Sequence, residues 1–428
     1  MWFLGGELEG ERVDLQVVDG IVAARLPAGQ GRPGPGEEVV HGGTLSPPFA
    51  EPHVHLDAAL LGARAPNRSG TLREGIANWA ALRGGLDEED VAARARTVLG
   101  WYAAWGTTRV RTHVDTGCPA AVRALVALRE ELRRDGLRLP GGAADGGAPG
   151  GFPMELQVVA FPQEGILRAP GRRAAWEAAL DAGCDVVGAI PHFERSAEEG
   201  WASVHLAFAV AAERGLRVDL HCDETDDPGS RNLEVACAEA LDRGWSAAFP
   251  GEGGVVAGHC TALHSYPNPH AAKVCELAAA AGIVVVANPL DNVVLQGRYD
   301  GYPRRRGLTR VDELWRAGAP VGVGHDSVVD PWYRLGTANL VDAAAMLVHV
   351  GQLTGEEEMR RVLGTLAGTN HRPFGAPPRL GPGEPATLLR FDVADGIEVL
   401  RLRPRPRVWA RGEEWTGRLP EPGRLTAG

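Results

Sequence analysis

Histidine and acidic residues recur in short, closely spaced motifs along this 428-residue sequence. The first is His53-Val-His55-Leu-Asp57, in which the two histidines are two positions apart. Side chains two apart on a β-strand project to the same face, so both imidazoles can reach one ion. Two imidazoles on one face make up half of a typical zinc-type metal site.

Three later motifs carry the same residue types, each after an apolar run. They are His221-Cys-Asp-Glu224, Gly258-His259-Cys-Thr261 and Gly324-His-Asp326-Ser327. A single histidine of this kind is more often a buried structural residue, but four such motifs favour one shared site. Three imidazoles and one carboxylate suit borderline divalent ions such as Zn(II) or Fe(II), which can acidify a bound water. This set is His53, His55, His221 and Asp326.

The sequence has a single lysine, Lys273, among its 44 basic residues. Bias towards arginine in a GC-rich genome explains this count, but the count still excludes chemistry. A phosphate-binding Walker loop needs Gly-Lys-Ser/Thr, and Lys273 lies in Ala-Ala-Lys-Val. Barrels with two metal ions often bridge them with a carboxylated lysine after the fourth strand, where this chain has Ala189-Ile-Pro-His192. We therefore expect one metal ion rather than two.

The segment His192-Phe-Glu194 imitates the His-x-Glu motif of zinc nucleobase deaminases of another fold. That fold also needs Pro-Cys-x-x-Cys. None of the six cysteines forms such a pair, so this interpretation is rejected.

Eight short β-branched runs end in polar residues, and most are followed by a segment rich in Ala, Leu, Glu and Arg. The runs are Ser46–Asp57, Thr107–Asp115, Glu155–Gln163, Val186–Phe193, Leu216–Glu224, Gly254–Ala262, Ile283–Asn292 and Pro320–Asp330. This alternation predicts an α/β fold, a parallel (β/α)8 TIM-like barrel, whose active site lies at the carboxyl ends of the strands. A doubly wound sheet is the alternative, but no Gly-x-Gly-x-x-Gly follows the first strand.

Strand-like patterns also occur near both ends of the chain. A hairpin is predicted at Asp19-Gly20, and segments 386–393, 397–402 and 408–412 are apolar or alternating. Pattern alone fits one domain or two unrelated strand sets equally well. We predict a small β-sandwich domain from residues 1–45 and 380–428, and a metal-dependent barrel from 46–379. The glycine-rich stretch 141–151 is expected to be a loop insertion without an assigned function.

Composition limits the partners and the compartment. Net charge is −11, and the densest basic cluster is only Arg304–Arg306, so no nucleic-acid partner is expected. No segment approaches about 20 continuous apolar residues, so no membrane partner is expected, and the start lacks the pattern of a signal peptide. Six sparse cysteines favour a reducing, cytoplasmic location.

These motifs together resemble the amidohydrolase superfamily, and within it the bacterial cytosine deaminase branch. The resemblance spans nearly the whole chain and is weakest in the terminal segments. Its matching stretches are 48–57, Val110-Arg-Thr-His-Val-Asp115, Phe161-Pro-Gln-Glu-Gly165, 187–194, His221-Cys-Asp-Glu224, Ala287-Asn-Pro-Leu290, Leu295-Gln-Gly-Arg298 and Asp330-Pro-Trp-Tyr333. His-x-His fits the whole superfamily, whereas Phe-Pro-Gln-Glu-Gly with His-Cys-Asp-Glu is far more specific to this branch.

The resemblance implies a hydrolytic deaminase of a nucleobase or amino-heterocycle, a role for each matching residue, and assembly as a homo-oligomer. Gln163 would hold the carbonyl and ring-amide edge of a pyrimidine, and Trp332 would pack near it. Glu224 would move a proton to and from the ring nitrogen, while His259 and Asp326 would orient and deprotonate the reacting water. The implied ligands of one Fe(II) or Zn(II) are His53, His55, His221 and Asp326.

Two departures from the deaminase pattern bear on the substrate. Ser327 stands where that pattern has a second aspartate, and Asp291-Asn-Val-Val294 differs from the usual residues. The smaller serine should open space beside the ring, which favours 5-methylcytosine or another 5-substituted cytosine over plain cytosine. Isoguanine or a triazine amine is an alternative substrate. A ring-opening cyclic amidase usually needs the bridged two-metal centre, and a non-catalytic pyrimidine-binding barrel would need no proton relay.

Overall fold

The computed structural model describes residues 1–138, 151–249, 253–417 and 419. Of the predicted loop insertion, residues 141–150 lie outside this part of the chain.

Sixteen strands form two sheets within the described residues. The first sheet contains β1 (Trp2–Leu8), β2 (Glu11–Val18), β3 (Ile21–Pro27), β4 (Val39–His41), β5 (Thr44–Ser46), β14 (Leu388–Phe391), β15 (Arg407–Ala410) and β16 (Glu413–Trp415). The second contains β6 (Phe49–Val54), β7 (Thr107–Asp115), β8 (Glu155–Phe161), β9 (Val186–Ala189), β10 (Arg217–Cys222), β11 (Val255–His259), β12 (Val284–Ala287) and β13 (Val321–Val323).

Thirteen α-helices accompany these strands in the described chain. They are α1 (Leu72–Leu82), α2 (Glu88–Ala104), α3 (Pro119–Asp135), α4 (Arg172–Asp181), α5 (Ala197–Arg214), α6 (Asn232–Asp242), α7 (Trp245–Ala248), α8 (Asn268–Ala281), α9 (Pro289–Leu295), α10 (Val311–Ala317), α11 (Leu340–Val350), α12 (Glu356–Ala367) and α13 (Gly396–Leu402).

The second sheet is the predicted barrel. Its eight strands pair in chain order from β6 to β13, every pair is parallel, and each of the eight predicted runs contains one strand. Strands β6, β9, β11, β12 and β13 are buried at every residue, as expected for parallel strands covered on both faces. The predicted barrel is therefore confirmed.

Local sequence signals start the helices that surround the barrel. The Asp87 side chain accepts the Asp90 N–H at the start of α2, and Ser196 accepts the Glu199 N–H at the start of α5. Pro119 occupies the first turn of α3, where its missing N–H costs nothing. These signals fix the residue at which each helix begins.

The first sheet joins the two ends of the chain. Strand β14 pairs antiparallel with β5, and β5 pairs parallel with β1. Its core includes Phe3 and Trp409, whose rings meet edge to face with centroids 4.9 Å apart. The predicted small β domain built from both termini, and the hairpin at Asp19-Gly20, are confirmed. The boundaries proposed for it at residues 45 and 380 stay a prediction.

One predicted strand is wrong. Residues 397–402 form helix α13 rather than a strand, and Gly396, Val399 and Leu400 on one side of it are buried. The Asp395 carboxylate accepts the backbone N–H groups of Ile397 and Glu398, which starts the helix. A run of six apolar and charged residues fits both the strand period of two and the helix period of 3.6. The Asp395 cap favours the helix.

Two further sequence expectations concern the whole chain. All six cysteines are buried and unbridged. No helix among the described residues has the length and apolar character needed to cross a membrane.

The gap between the first and last barrel strands is closed partly by one side chain. Asn370 is fully buried, accepts the Val323 N–H at 2.9 Å, and donates to the carbonyls of Val323 (2.7 Å) and Ala50 (2.8 Å). It therefore bridges β13 and β6 below the rim.

We expect Asn370→Ala to lower the free energy of unfolding by about 2–4 kcal/mol, because it leaves buried backbone groups without partners. Urea denaturation followed by circular dichroism measures this loss. The neighbouring Thr369→Ala is the control, with an expected change within about 0.5 kcal/mol. Equal stability of the two variants would contradict the bridging role.

Candidate active site

The predicted metal ligands come together at the carboxyl ends of strands β6, β10 and β13 of the barrel. His53 is the penultimate residue of β6 and His55 follows that strand, His221 lies near the end of β10, and Asp326 follows β13. His55 Nε2 lies 3.1 Å from His221 Nε2. Asp326 Oδ1 lies 3.6 Å from His53 Nε2 and 3.5 Å from His55 Nε2. The four side chains thus face one small volume.

Unsatisfied nitrogen atoms indicate that this volume suits a cation. Both ring nitrogens of His53 and Nδ1 of His221 are buried without a hydrogen-bond partner among the described residues. One donor atom each from His53, His55 and His221 lies within 4.8 Å of the others, and the same holds for His53, His259 and Asp326. Three imidazoles and a carboxylate match the donor preference of a divalent transition metal or zinc. The residues therefore fit a divalent metal ion.

Burial keeps these imidazoles neutral, which is the form that binds a metal. It lowers the pKa of His55 to about 3, with the charge of His113 as a smaller cause. Burial also holds the pKa values of His53 and His221 well below their usual range, and the neighbouring histidines add to the effect. Neutral imidazole nitrogens are available as ligands without first losing a proton.

A hydrogen-bonded group of proton carriers lies beside the cluster. His259 Nδ1 lies 3.6 Å from Glu224 Oε1 and 3.9 Å from Asp326 Oδ2. The Asn292 amide nitrogen lies 3.1 Å from His259 Nδ1 and 3.3 Å from Glu224 Oε1. Burial raises the pKa of Glu224 to about 8, so its carboxyl holds a proton below that pH. These groups can pass protons to and from a molecule in the site.

The backbone turns sharply where these side chains leave the strands. His259 and Asp326 both have left-handed conformations, with φ of 68° and 69°. Such conformations cost free energy for residues with a Cβ atom and cluster at functional sites. Gly258 lets His53 sit against β11, since a Cβ at 258 would lie 2.8 Å from His53 Nδ1.

A cavity above the cluster brings the predicted substrate residues together. Gln163, Ser327 and Trp332 line it, and Leu72 and Leu295 supply apolar walls. The Trp332 ring centroid lies 6.0 Å from that of His55. The structure thus places all nine predicted site residues around one cavity and the cluster beneath it; their individual roles stay predictions.

The loop that carries Gln163 is held by Glu194, which belongs to the His-x-Glu segment whose comparison with another deaminase fold was rejected above. The Glu194 carboxylate accepts the backbone N–H groups of Ile166 (2.6 Å) and Leu167 (3.1 Å). Gly165 is required beneath it, because φ is 83° and a Cβ would lie 2.7 Å from Glu194 Oε2. Glu194 therefore supports the substrate loop.

Sequence reasoning missed three polar residues after β12. Asn288 and Asn292 both contact the His259 ring, and Asp291 accepts the Ser327 N–H at 3.2 Å. All three are buried. Asn288 lies in the matched stretch 287–290 and Asp291 in a noted departure, so the signal was present without an assigned role.

His113, at the end of β7, lies beneath the cluster. Its ring centroid is 4.1 Å from that of His53, and its Nε2 lies 3.1 Å from Asp219 Oδ1. The other Asp219 oxygen accepts a hydrogen bond from Arg111 Nη1 at 2.8 Å, and both side chains are fully buried. This ion pair neutralises the charge of Asp219 and holds His113 against His53.

The single lysine lies outside the site. Lys273 is on α8, its side chain is 59% exposed, and it pairs with Glu234 of α6. The end of β9, where a bridging lysine would be expected, is followed by the short 3-10 helix Pro191–Phe193.

A closed parallel barrel with buried imidazoles and a carboxylate at the carboxyl ends of its strands defines a metal-dependent barrel hydrolase. The model of the amidohydrolase family matches residues 85–413, and the chain belongs to this family.

Individual relatives narrow the enzyme class. The chain is similar to the 5-methylcytosine deaminase of Klebsiella pneumoniae solved with 5-fluorocytosine, with 35% identity, 99% of each chain covered and a TM-score of 0.86. It is 29% identical over 423 residues to a pterin deaminase of Rhizobium rhizogenes, covering 96% of this chain and 89% of that one. An N-isopropylammelide isopropylaminohydrolase of Burkholderia multivorans shares the fold, with 23% identity, 98% and 99% coverage and a TM-score of 0.77. The predicted class, a metal-dependent hydrolytic deaminase, is confirmed.

We expect His221→Ala to lose the divalent metal, because it removes one of three buried imidazoles from the cluster. Metal content after gel filtration, measured by inductively coupled plasma mass spectrometry, should fall to under about a tenth of the wild-type value. His205→Ala is the matched control, since His205 is exposed and pairs with Glu239. Full metal retention in His221→Ala would remove His221 from the ligand set.

Proposed function

We propose that the protein hydrolyses cytosine or a 5-substituted cytosine, such as 5-methylcytosine, to the corresponding uracil and ammonia. The observation that carries this proposal is the line of Glu224, His259 and Asp326, with separations of 3.6 and 3.9 Å, in one cavity with Gln163. Proton carriers and an amide that can read a heterocycle edge are what this reaction requires. The similarity to 5-methylcytosine deaminase supports the same substrate class.

The proposed metal centre holds one divalent ion, Fe(II) or Zn(II). His53, His55, His221 and Asp326 would be its ligands. Such an ion supplies Lewis acidity, which lets a water ionise near neutral pH. One ion is proposed because the single lysine, Lys273, pairs with Glu234 and provides no bridging group at the end of β9.

Each water proton needs a defined carrier. In the balanced reaction, the water oxygen bonds to the amino-bearing carbon, one water proton ends on the adjacent ring nitrogen, and the other leaves with ammonia. Asp326 Oδ2 and His259 face each other and accept the proton of the attacking water. Glu224, protonated below about pH 8, gives its proton to the ring nitrogen, takes up the proton left on the added oxygen and passes it to the departing amino group. The proton held by Asp326 and His259 then returns to Glu224, which restores the starting state. Asn292 holds Glu224 and His259 in register.

The remaining cavity residues hold the ring. The Gln163 amide offers both a donor and an acceptor, which complement the carbonyl and ring N–H of a pyrimidine. Trp332, Leu72 and Leu295 provide apolar contact for the ring faces. Ser327, next to Asp326, would border a substituent beside the amino group, and its small side chain favours one there.

A fused amino-heterocycle such as a pterin is a second candidate substrate. An outer cavity of about 760 Å³ shares Leu72, Glu224 and Leu295 with the inner one, so a second ring would have space. The similarity to a pterin deaminase over 96% of this chain supports this candidate.

We expect Glu224→Gln to reduce ammonia release by about 10²–10⁴-fold, because glutamine cannot carry the proton. The metal content should not change, since Glu224 is not among the proposed ligands. A coupled glutamate dehydrogenase assay on the metal-loaded enzyme, with cytosine, 5-methylcytosine and pterin, measures the rate.

Glu234→Gln, on the outer helix α6, is the matched control and should keep the wild-type rate. Near-wild-type turnover in Glu224→Gln would take Glu224 out of the mechanism. Absence of ammonia from both cytosines, with pterin deaminated, would replace the first candidate by the second.

We expect Ser327→Val to lower kcat/KM for 5-methylcytosine relative to cytosine by about tenfold, because valine fills the space beside the amino group without adding charge. Steady-state kinetics with both substrates measure the ratio. An unchanged ratio would show that position 327 does not limit the size of the 5-substituent.

A further inference from the structure

Asp291 has a buried carboxyl oxygen for which the proposed mechanism gives no partner. The residue lies on α9, is fully buried, and lines the inner cavity. Its Oδ2 accepts the backbone N–H of Ser327 at 3.2 Å. Its Oδ1 is buried and has no hydrogen-bond partner among the described residues. A buried carboxyl oxygen without a donor is costly, so a ligand that supplies one would gain from meeting it.

The neighbours of Asp291 do not remove this need. The Ser327 hydroxyl lies against the carboxyls of both Asp291 and Asp330. A serine hydroxyl has one proton to donate, so it can serve only one of them at a time. Asp330 is also fully buried, and it already accepts the N–H groups of Trp332 and Tyr333, both at 2.9 Å. Both of these bonds go to Oδ1 of Asp330, and its Oδ2 is also buried without a partner, but Asp330 is not among the residues that line the cavity. Asp291 is therefore the carboxyl whose unpartnered oxygen lies at the cavity.

The contacts of α9 place Asp291 on a particular side of the substrate. Asn292 reaches Glu224 and His259, whereas Asp291, one residue earlier, reaches Ser327, which follows Asp326. The amino-bearing carbon must lie near Asp326 and His259. If Glu224 serves the ring nitrogen on one side of that carbon, Ser327 and Asp291 face its other ring neighbour. In cytosine that neighbour is C5.

We infer that Asp291 is a specificity residue that selects substrates with a hydrogen-bonding group at this edge. This inference rests on the proposed function and sharpens it: the preferred 5-substituent is an amino or hydroxymethyl group rather than methyl. A methyl group would leave Asp291 Oδ1 unpaired. A site with an unmet polar group discriminates strongly against analogues that lack the partner.

The test compares 5-aminocytosine with 5-methylcytosine, because their substituents are nearly equal in size and differ in hydrogen bonding. Wild-type kcat/KM should favour 5-aminocytosine. Asp291→Val should lower that preference by about tenfold, the value of one buried hydrogen bond. Intrinsic ring reactivity is the same for both proteins, so the change in the ratio isolates Asp291.

Two further variants complete the experiment. Asp312→Val, on the exposed face of α10 where Asp312 pairs with Arg316, should leave the ratio at the wild-type value. If Asp291→Val does not fold, Asp291→Asn preserves the shape of the side chain and should still lower the preference. Its amide oxygen must accept the Ser327 N–H, which turns the NH2 group, a donor only, towards the donor of the substrate.

The outcomes separate the two proposals. Deamination of both cytosines with equal or greater kcat/KM for 5-methylcytosine, and a ratio unchanged by Asp291→Asn, overturns the role of Asp291 alone. Absence of ammonia from every cytosine, under conditions where pterin is deaminated, overturns the cytosine function itself. A wild-type preference for 5-aminocytosine that falls in the Asp291 variants, but not in Asp312→Val, supports the inference.

Discussion

The backbone hydrogen bonds that join the first and last barrel strands run through the proposed metal ligands. The Asp326 N–H donates to the His53 carbonyl at 2.9 Å, and the His55 N–H donates to the Asp326 carbonyl at 3.2 Å. The Glu51 carboxyl adds to this closure, since it accepts the backbone N–H groups of His53 and His325. Three ligands are thus fixed relative to one another by the same bonds that close the barrel. The geometry of the site is therefore inseparable from the integrity of the fold.

Burial sets the charge state of the site, and it acts on acids and bases in opposite directions. It lowers the pKa values of the histidines and raises that of Glu224, because a low-dielectric interior disfavours either charge. The result is a set of neutral imidazoles beside a protonated carboxyl. Below them, the ion pair of Arg111 with Asp219 is the charged exception, and it is fully paired. The interior thus offers ligands and a proton donor without prior ionisation steps.

Short-range sequence patterns were enough to predict most of the fold. Barrel strands such as Val284–Ala287 are continuous apolar runs, and polar motifs mark where the chain leaves the barrel. The histidine and aspartate motifs were recognisable for the same reason: each lies at such an exit.

Asn288, Asp291 and Asn292 were missed as site residues because amide and acidic side chains on a short helix have no periodic signal. Asn288 and Asn292 contact His259, and Asp291 contacts Ser327. Each partner lies more than 28 positions away in the sequence, so no local pattern reveals the contact. The strand prediction for residues 397–402 was wrong for a different reason, since only the preceding Asp395 distinguishes the helix there from a strand.

The exposed position of Lys273 gives the protein a practical property. It carries the only side-chain amine in the sequence, and that amine projects from the outer ring of helices with 59% of the side chain accessible. Reagents that acylate primary amines at controlled stoichiometry would attach a dye or a tether at one defined side-chain position. Lys273 is not among the residues that line the cavity, so its modification would leave the barrel mouth unchanged. Protein molecules attached to a surface through this side chain would all have the same orientation.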